Sequence, residues 1–185
     1  MQSLATSTTR VIAIVGLFSA SYIISAGLVS SLFGDVARGY PEHFLHGVLM
    51  TAVVVGTGKK WSATIMGIVC GIVFGIVVPA PARYLLASTI VSGLVFDLAL
   101  MGGSYKNAIR SFSRIVVEAA VSGVAESLVA LSILTFASFF GNSVEILASA
   151  WSVDISLNIV FSSVGAVLTF NFLIGRNSDI PIVRL

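Results

Sequence analysis

The chain carries little charge. Only 10% of its 185 residues are Asp, Glu, Lys or Arg, whereas a soluble domain carries about 25%. With a hydrophobic content of 57% and a mean hydropathy of +1.05, this scarcity excludes an ordinary soluble domain. It predicts one compact unit that lies mostly in lipid. The net charge of +2 is too small to indicate a nucleic-acid partner.

Residues that mark common soluble chemistries are also scarce. The single cysteine, Cys70, cannot form an intramolecular disulfide, and its place within an apolar run predicts core packing. The sequence has no phosphate-binding glycine loop, no His-Glu-x-x-His and no Gly-x-Ser-x-Gly. His43 and His46 could hold a metal beside Glu42, but two rim histidines are more often ordinary polar residues. We therefore expect no metal, no cofactor and no enzyme, with intramembrane proton-carrying acids as a minor alternative.

Long apolar runs are what the sequence does contain, and they predict an all-α integral membrane protein with six spans. A helix needs about 20 residues to cross a bilayer, so the second run is marginal and the fifth is long enough to tilt. The first run follows Arg10 as in a signal peptide, but its length predicts a retained helix. The predicted spans are 11–33, 44–58, 62–79, 84–102, 112–140 and 154–175.

Threading these six spans through a bilayer separates the basic residues. Eight of the ten Lys and Arg residues fall on one side, and only Arg38 and Arg83 fall on the other. Cytoplasmic loops accumulate Lys and Arg, so we expect a cell-membrane protein with both termini in the cytoplasm. The residues on the predicted cytoplasmic side are Arg10, Lys59, Lys60, Lys106, Arg110, Arg114, Arg176 and Arg184.

Small residues recur at helical spacing within several spans. Gly67, Gly71 and Gly75 share one face of the third span, and Ala119 and Gly123 share a face of the fifth. Such residues let membrane helices approach closely, so internal packing is the first interpretation. The first span carries Ala13, Gly16 and Ala20, for which the alternative is a docking surface for another membrane protein.

Three acids lie within predicted spans, where an ionisable group needs a partner or a cavity. We expect Asp97 to bond Arg110 or Arg114. Glu118 follows Arg114 by four residues and therefore shares its helix face. Glu126 lies mid-span with no basic residue after it before the outer end. It is the best candidate for a ligand contact, the alternative being a hydrogen bond to Ser or Asn of a neighbouring helix.

Polar and aromatic residues cluster in the predicted outer loops and at the outer span ends. Tyr and Trp at such positions ordinarily anchor a helix in the interface, but rings and hydrogen-bond acceptors around an outward cavity would also suit a small heterocycle. Arg83 could contact an anionic ligand group or an acid of an outer loop. The candidate binding residues are Glu126, Trp151, Asp154, Asn158, Tyr84, His43 and Arg83.

The layout resembles the substrate-capturing S component of energy-coupling factor (ECF) transporters. The resemblance covers nearly the whole chain. It rests on the six spans, the Lys59-Lys60 hairpin, and Pro79-Ala-Pro81-Ala-Arg83 followed by Gly93-Leu-Val-Phe-Asp97. It implies a six-helix bundle with an outward-facing pocket for a vitamin-like micronutrient. It also implies two ATPase subunits and a scaffold membrane protein, the T component, as partners.

The same resemblance implies a docking role for the first helix. The family uses Ala-x-x-x-Ala there, and the matching stretch is Gly16-Leu-Phe-Ser-Ala20, with Ala13 on the same surface. Metal-transporting members carry a histidine directly after the initiator Met, whereas this chain begins Met1-Gln2-Ser3. The acids and rings of the candidate site favour thiamine or a related pyrimidine, without excluding other vitamins.

Two other functions remain open on the sequence alone. One is a small ion-coupled secondary transporter acting as a dimer, although no convincing internal repeat is found. The other is a membrane accessory subunit that transports nothing.

Overall fold

A computed structural model describes residues 2–37, 39–77, 84–139, 141 and 143–175. Its described residues form helices and the turns between them, which confirms the all-helical prediction. A short π-helical segment, Asn171–Gly175, continues the last helix. The helices are α1 (Gln2–Ala37), α2 (Gly39–Thr57), α3 (Ser62–Val77), α4 (Tyr84–Leu100), α5 (Tyr105–Ala108), α6 (Phe112–Phe136) and α7 (Val144–Phe170).

Three of these helices are long and apolar enough to cross a membrane, in the segments Thr8–Leu28, Phe112–Phe136 and Val144–Ile174. Two shorter apolar helices, Ser62–Val77 and Leu86–Leu100, accompany them. Large apolar side chains such as Ile12, Leu17 and Phe136 are exposed on the bundle surface. A surface of this kind is stable against lipid rather than water, so the molecule is a helical membrane protein.

The six helices other than the four-residue α5 close into a ring. In order of contact it runs α1, α2, α7, α6, α4, α3 and back to α1. Helix α2 also touches α3 and α6 across the ring, and none of its described side chains from 41 to 57 is exposed. Because α2 is shielded from lipid by its neighbours, it can carry His43 and His46. This position is consistent with a second predicted span that is too short to cross a bilayer squarely.

Several predicted boundaries were wrong, in most cases because a helix continues beyond its apolar run. The sequence 34–43 was expected as a loop, but α1 ends at Ala37 and α2 begins at Gly39. Helix α6 ends at Phe136 rather than 140, and α7 begins at Val144 rather than 154. A helix can continue into the membrane interface with polar side chains and keep its backbone hydrogen bonds. The hydropathy pattern therefore predicts where the lipid ends, not where the helix ends.

Glycines set the closest helix contacts, as the sequence predicted for α3. A Cβ added at Gly67 would lie 2.6 Å from the Thr89 carbonyl oxygen of α4, and one at Gly71 would lie 2.7 Å from the Leu86 carbonyl oxygen. From the other side, a Cβ at Gly93 would lie 2.5 Å from the Ala63 carbonyl oxygen. The backbones of α3 and α4 therefore touch directly, which is the usual use of small residues in membrane helices.

Asp97 lies at this α3–α4 contact, but its predicted partner was wrong. Its Oδ2 accepts hydrogen bonds from the Thr64 backbone N–H at 2.7 Å and from Thr64 Oγ1 at 2.8 Å. Thr64 lies in the first turn of α3, where backbone N–H groups have no partner within the helix. Arg114 instead donates to the Ala99 carbonyl oxygen and lies 3.6 Å from Glu118. The Arg114–Glu118 pair is therefore confirmed, and Asp97 caps α3.

Candidate functional site

A cluster of polar side chains lies between α2, α6 and α7, in a bundle that is otherwise largely apolar. We call it the polar core. Helical spacing aligns its members, since His43 and His46 are one turn apart and Ser122 and Glu126 are four residues apart. On α7, Asp154, Asn158 and Ser162 repeat at the same interval of four. The polar core comprises His43, His46, Ser122, Glu126, Ser127, Asp154, Asn158 and Ser162.

Glycines bring the three helices close enough for these side chains to meet. A Cβ at Gly47 of α2 would collide with the Ser162 backbone, and a Cβ at Gly165 of α7 would collide with the Phe44 carbonyl oxygen. On α6, a Cβ at Gly123 would occupy the position of the Asn158 side-chain oxygen. Gly123 therefore leaves the room that Asn158 fills, in agreement with the predicted internal role of the α6 small residues.

The inner part of the polar core joins His46 to α6. His46 is fully buried, and its Nε2 lies 3.0 Å from Ser122 Oγ. Its other nitrogen, Nδ1, lies 3.3 Å from Glu126 Oε2. Neither Nδ1 nor Oε2 completes a hydrogen bond, although Glu126 is only 7% exposed. A buried polar atom without a partner is costly, so this pair is where the polar core is incomplete.

The outer part of the polar core is better satisfied. His43 Nε2 lies 3.2 Å from Asp154 Oδ1, whose carboxyl group is partly exposed. Ser162 Oγ lies 2.7 Å from Asn158 Oδ1 and 3.1 Å from the His43 carbonyl oxygen, and can donate to either. Asn158 Nδ2 donates to Ser127 Oγ at 3.0 Å. These bonds tie all three helices together around the His46–Glu126 pair.

The structure brings together four of the seven candidate binding residues, Glu126, Asp154, Asn158 and His43. Trp151 is half-buried and lies one turn before Asp154, and its Nε1 donates to Thr135 Oγ1 of α6 at 3.3 Å. Tyr84 begins α4, but its side chain lies outside the described part of the structure, as does the whole of Arg83. The expectation that Trp151 lies before the last span was wrong, since it lies within α7.

Sequence reasoning missed several members of this site. The nearest partner of Glu126 is His46 rather than Ser or Asn, and the contributions of Ser122, Ser127 and Ser162 were not predicted. Tyr22 of α1 is also buried within electrostatic reach of Glu126. The available signal was the four-residue spacing of Ser122 with Glu126 and of Ser162 with Asn158.

The predicted docking residues lie on a different surface. Ala13, Gly16 and Ala20 are exposed on the outside of α1, and a Cβ added at Gly16 would meet nothing within 4 Å. Exposed Ile12, Leu17 and Ile24 flank them. These small residues therefore do not pack against the other described helices, unlike the glycines of α3.

No group of three His, Cys, Asp or Glu side chains in the described ranges is arranged to hold a metal ion. Comparisons of the chain with protein-family models, with curated proteins and with solved structures found no match.

Proposed function

We propose that this protein is the substrate-capture subunit of an ECF-type importer, which binds a small vitamin-like micronutrient from outside the cell. The ligand then passes inward when a scaffold membrane subunit and two ATPase subunits associate with the loaded protein. A cationic heterocycle such as thiamine or a related pyrimidine suits the acids of the polar core best.

The observation that carries this proposal is the incomplete hydrogen bonding of Glu126. A mid-helix carboxylate whose Oε2 has no hydrogen-bond donor is unfavourable in a membrane bundle unless something else supplies the partner. A ligand with N–H donors or a positive charge would supply it. Asp154 and Asn158 belong to the same polar core, and Trp151 lies one turn before Asp154 on α7.

The position of the basic segments supports the proposed six-span arrangement. The Tyr105 hydroxyl donates to the Lys59 carbonyl oxygen at 2.7 Å, so the segment between α2 and α3 lies beside the segment between α4 and α6. Lys59, Lys60, Lys106 and Arg110 therefore gather at one end of the bundle, with exposed side chains. This is the arrangement expected of a cytoplasmic face. Cysteines introduced at Ser104 and Ser143 should be labelled from opposite sides.

The exposed small-residue face of α1 supports docking to a scaffold subunit. A leucine side chain at position 16 would prevent the close approach of another helix to α1. It would not touch the polar core. We expect Gly16→Leu to retain ligand affinity and to abolish uptake in cells that contain the ATPase partners. Ser156→Leu, which enlarges an exposed position on α7, is the matched control and should retain both. Loss of ligand binding in Gly16→Leu would contradict the docking role.

A proton-coupled secondary carrier is the second candidate. Two histidine–carboxylate pairs within the bundle favour it, because such pairs form proton relays in membrane carriers. Uptake of radiolabelled thiamine into proteoliposomes distinguishes the importer from the carrier. The importer requires added ATPase and scaffold subunits and ATP. Uptake by the protein alone under a proton gradient would establish the carrier instead, and failure to retain any small molecule on purification would favour an accessory role.

A further inference from the structure

The contacts of Ser122 favour one of the two tautomers of His46. Ser122 Oγ donates its only hydrogen to the Ala119 carbonyl oxygen at 3.0 Å. When Ser122 donates there, its oxygen accepts from His46 Nε2, which lies 3.0 Å away; the reverse direction would place the histidine proton on Nδ1. A neutral histidine carries one N–H, so when Nε2 is the donor, Nδ1 is an acceptor with a bare lone pair.

That lone pair faces a second acceptor. Nδ1 lies 3.3 Å from Glu126 Oε2, and both atoms are buried without a hydrogen bond. An ionised carboxylate facing a bare imidazole nitrogen would repel it. A proton held by either atom, as an imidazolium or as a carboxylic acid, removes the repulsion and leaves the pair with no net charge. With the histidine proton on Nε2, the unliganded pair therefore needs one further proton.

The described residues around the pair offer no permanent positive charge to replace that proton. Among the described residues, the titratable groups that interact with the pair or with its immediate neighbours are acids, a phenol, a thiol and a second histidine. They come from α1, α2, α3 and α7. They are Tyr22, Glu42, His43, Cys70 and Asp154. A cation that enters beside Glu126 would consequently add a net charge inside the bundle unless the shared proton left.

We propose that the His46–Glu126 pair exchanges its shared proton for a cationic ligand. This inference rests on the proposed ligand-binding function. In the free protein the pair is His-H⁺ with Glu⁻, or His with Glu-H. On binding, the cation takes its place against the Glu126 carboxylate, His46 remains neutral, and one H⁺ passes to water. No bond to the ligand forms and no electron is transferred. The net charge of the site is the same before and after capture.

The His43–Asp154 pair has a different role. Its atoms already form a hydrogen bond at 3.2 Å, and the Asp154 carboxyl group is partly exposed. Because α2 places His43 one turn from His46, this pair lies between the exchanging pair and the surface at that end of α7. It is suited to positioning the ligand and to conducting the released proton, rather than to holding it.

Thiamine is a suitable probe because its thiazolium charge does not depend on pH. Calorimetric titration of the detergent-purified protein, in two buffers with different ionisation enthalpies, counts the protons released. We expect about one proton per bound thiamine, with affinity rising as pH rises, by up to about tenfold per pH unit while the free pair keeps its proton. Glu126→Gln and His46→Gln should abolish the release. Glu118→Gln, the same change on the same helix away from the polar core, should preserve it.

Three results would count against the inference, and they are distinguishable. Thiamine that binds with pH-independent affinity and no proton release overturns the exchange while leaving ligand capture intact. Binding of uncharged riboflavin, with no binding of thiamine or other organic cations, also overturns the exchange alone. If no compound binds and no small molecule co-purifies, the proposed function fails together with it.

Discussion

Asp97 and Glu126 are both buried carboxylates in a membrane bundle, yet their surroundings differ. Asp97 is fully buried at the glycine-packed contact of α3 and α4, where the Thr64 backbone N–H and hydroxyl both donate to its Oδ2. Glu126 lies in the polar core, where Oε2 faces His46 Nδ1 without a hydrogen bond. Each acid thus keeps one buried oxygen without a partner, Asp97 Oδ1 and Glu126 Oε2, but the other oxygen of Asp97 receives two hydrogen bonds from the first turn of α3.

This difference separates a structural acid from a candidate ligand contact. A carboxylate that caps a helix contributes its stabilisation in every state of the protein. A carboxylate without a donor is instead destabilising, and such strain is retained in proteins mainly at functional sites. Substitutions on the α3–α4 side should therefore change stability, whereas those in the polar core should change binding.

The largest loss of stability is expected from Asp97→Ala. Removing the carboxylate leaves the Thr64 N–H and hydroxyl without their acceptor, which we expect to cost about 2 to 4 kcal/mol. Thermal unfolding in detergent should show a clearly lowered midpoint, while the folded fraction binds ligand with unchanged affinity. Loss of ligand affinity with an unchanged unfolding midpoint would assign Asp97 to the ligand site and contradict its structural role.

Glu126→Gln should show the opposite pattern. We expect ligand affinity to fall more than tenfold, about 1.4 kcal/mol or more, because a neutral amide replaces the carboxylate that meets the cation. The unfolding midpoint should stay the same or rise, since an unpartnered buried acid is removed. Equilibrium binding and thermal unfolding of the same preparation measure both. An unchanged dissociation constant would remove Glu126 from the site.

Gly71→Ala tests the backbone contact of α3 with α4. The new Cβ would lie 2.7 Å from the Leu86 carbonyl oxygen and 2.8 Å from an Ile90 side-chain carbon. Overpacking of this kind costs about 1 to 3 kcal/mol, partly offset by the better helix propensity of alanine. Gly16→Ala is the control, because its Cβ meets nothing within 4 Å. Equal unfolding midpoints for the two variants would contradict the packing described for α3.

Tyr105→Phe should have the smallest effect. It removes the 2.7 Å hydrogen bond to the Lys59 carbonyl oxygen, worth about 1 kcal/mol. Burial raises the pKa of the Tyr105 phenol above its ordinary value of about 10. Above that value the unfolded phenol loses its proton before the folded one does, so stability should fall as pH rises. The phenylalanine variant should show a weaker alkaline decline in its unfolding midpoint, and an identical decline would contradict this assignment.

The helices were predictable because apolar runs of membrane length have few alternatives to a helix. Their ends were less so, since polar residues such as Glu42 and Glu145 continue a helix beyond the apolar run. The glycine face of α3 was predictable from its four-residue spacing. Hydropathy alone could not show that α2 is interior, because that depends on how the other helices surround it.

The candidate site was predictable only in part. Glu126, Asp154 and Asn158 stood out because acids and amides are rare in apolar segments. Their connection to one another depends on which faces of α2, α6 and α7 meet, and the sequence does not specify this. Serine is common along the chain, so the four-residue spacing of Ser122 and Ser162 from other polar residues was only a weak signal until the structure placed both serines in the polar core.

The central claim is that Glu126 is incomplete because it binds a ligand. Mass spectrometry of small molecules that co-purify with the detergent-extracted protein tests this most directly, with wild type compared against Glu126→Gln and Glu118→Gln. We predict one heterocyclic compound retained in near-equal amount by wild type and Glu118→Gln, and lost from Glu126→Gln. Equal retention by all three proteins would contradict the claim, as would the absence of any bound compound from wild type.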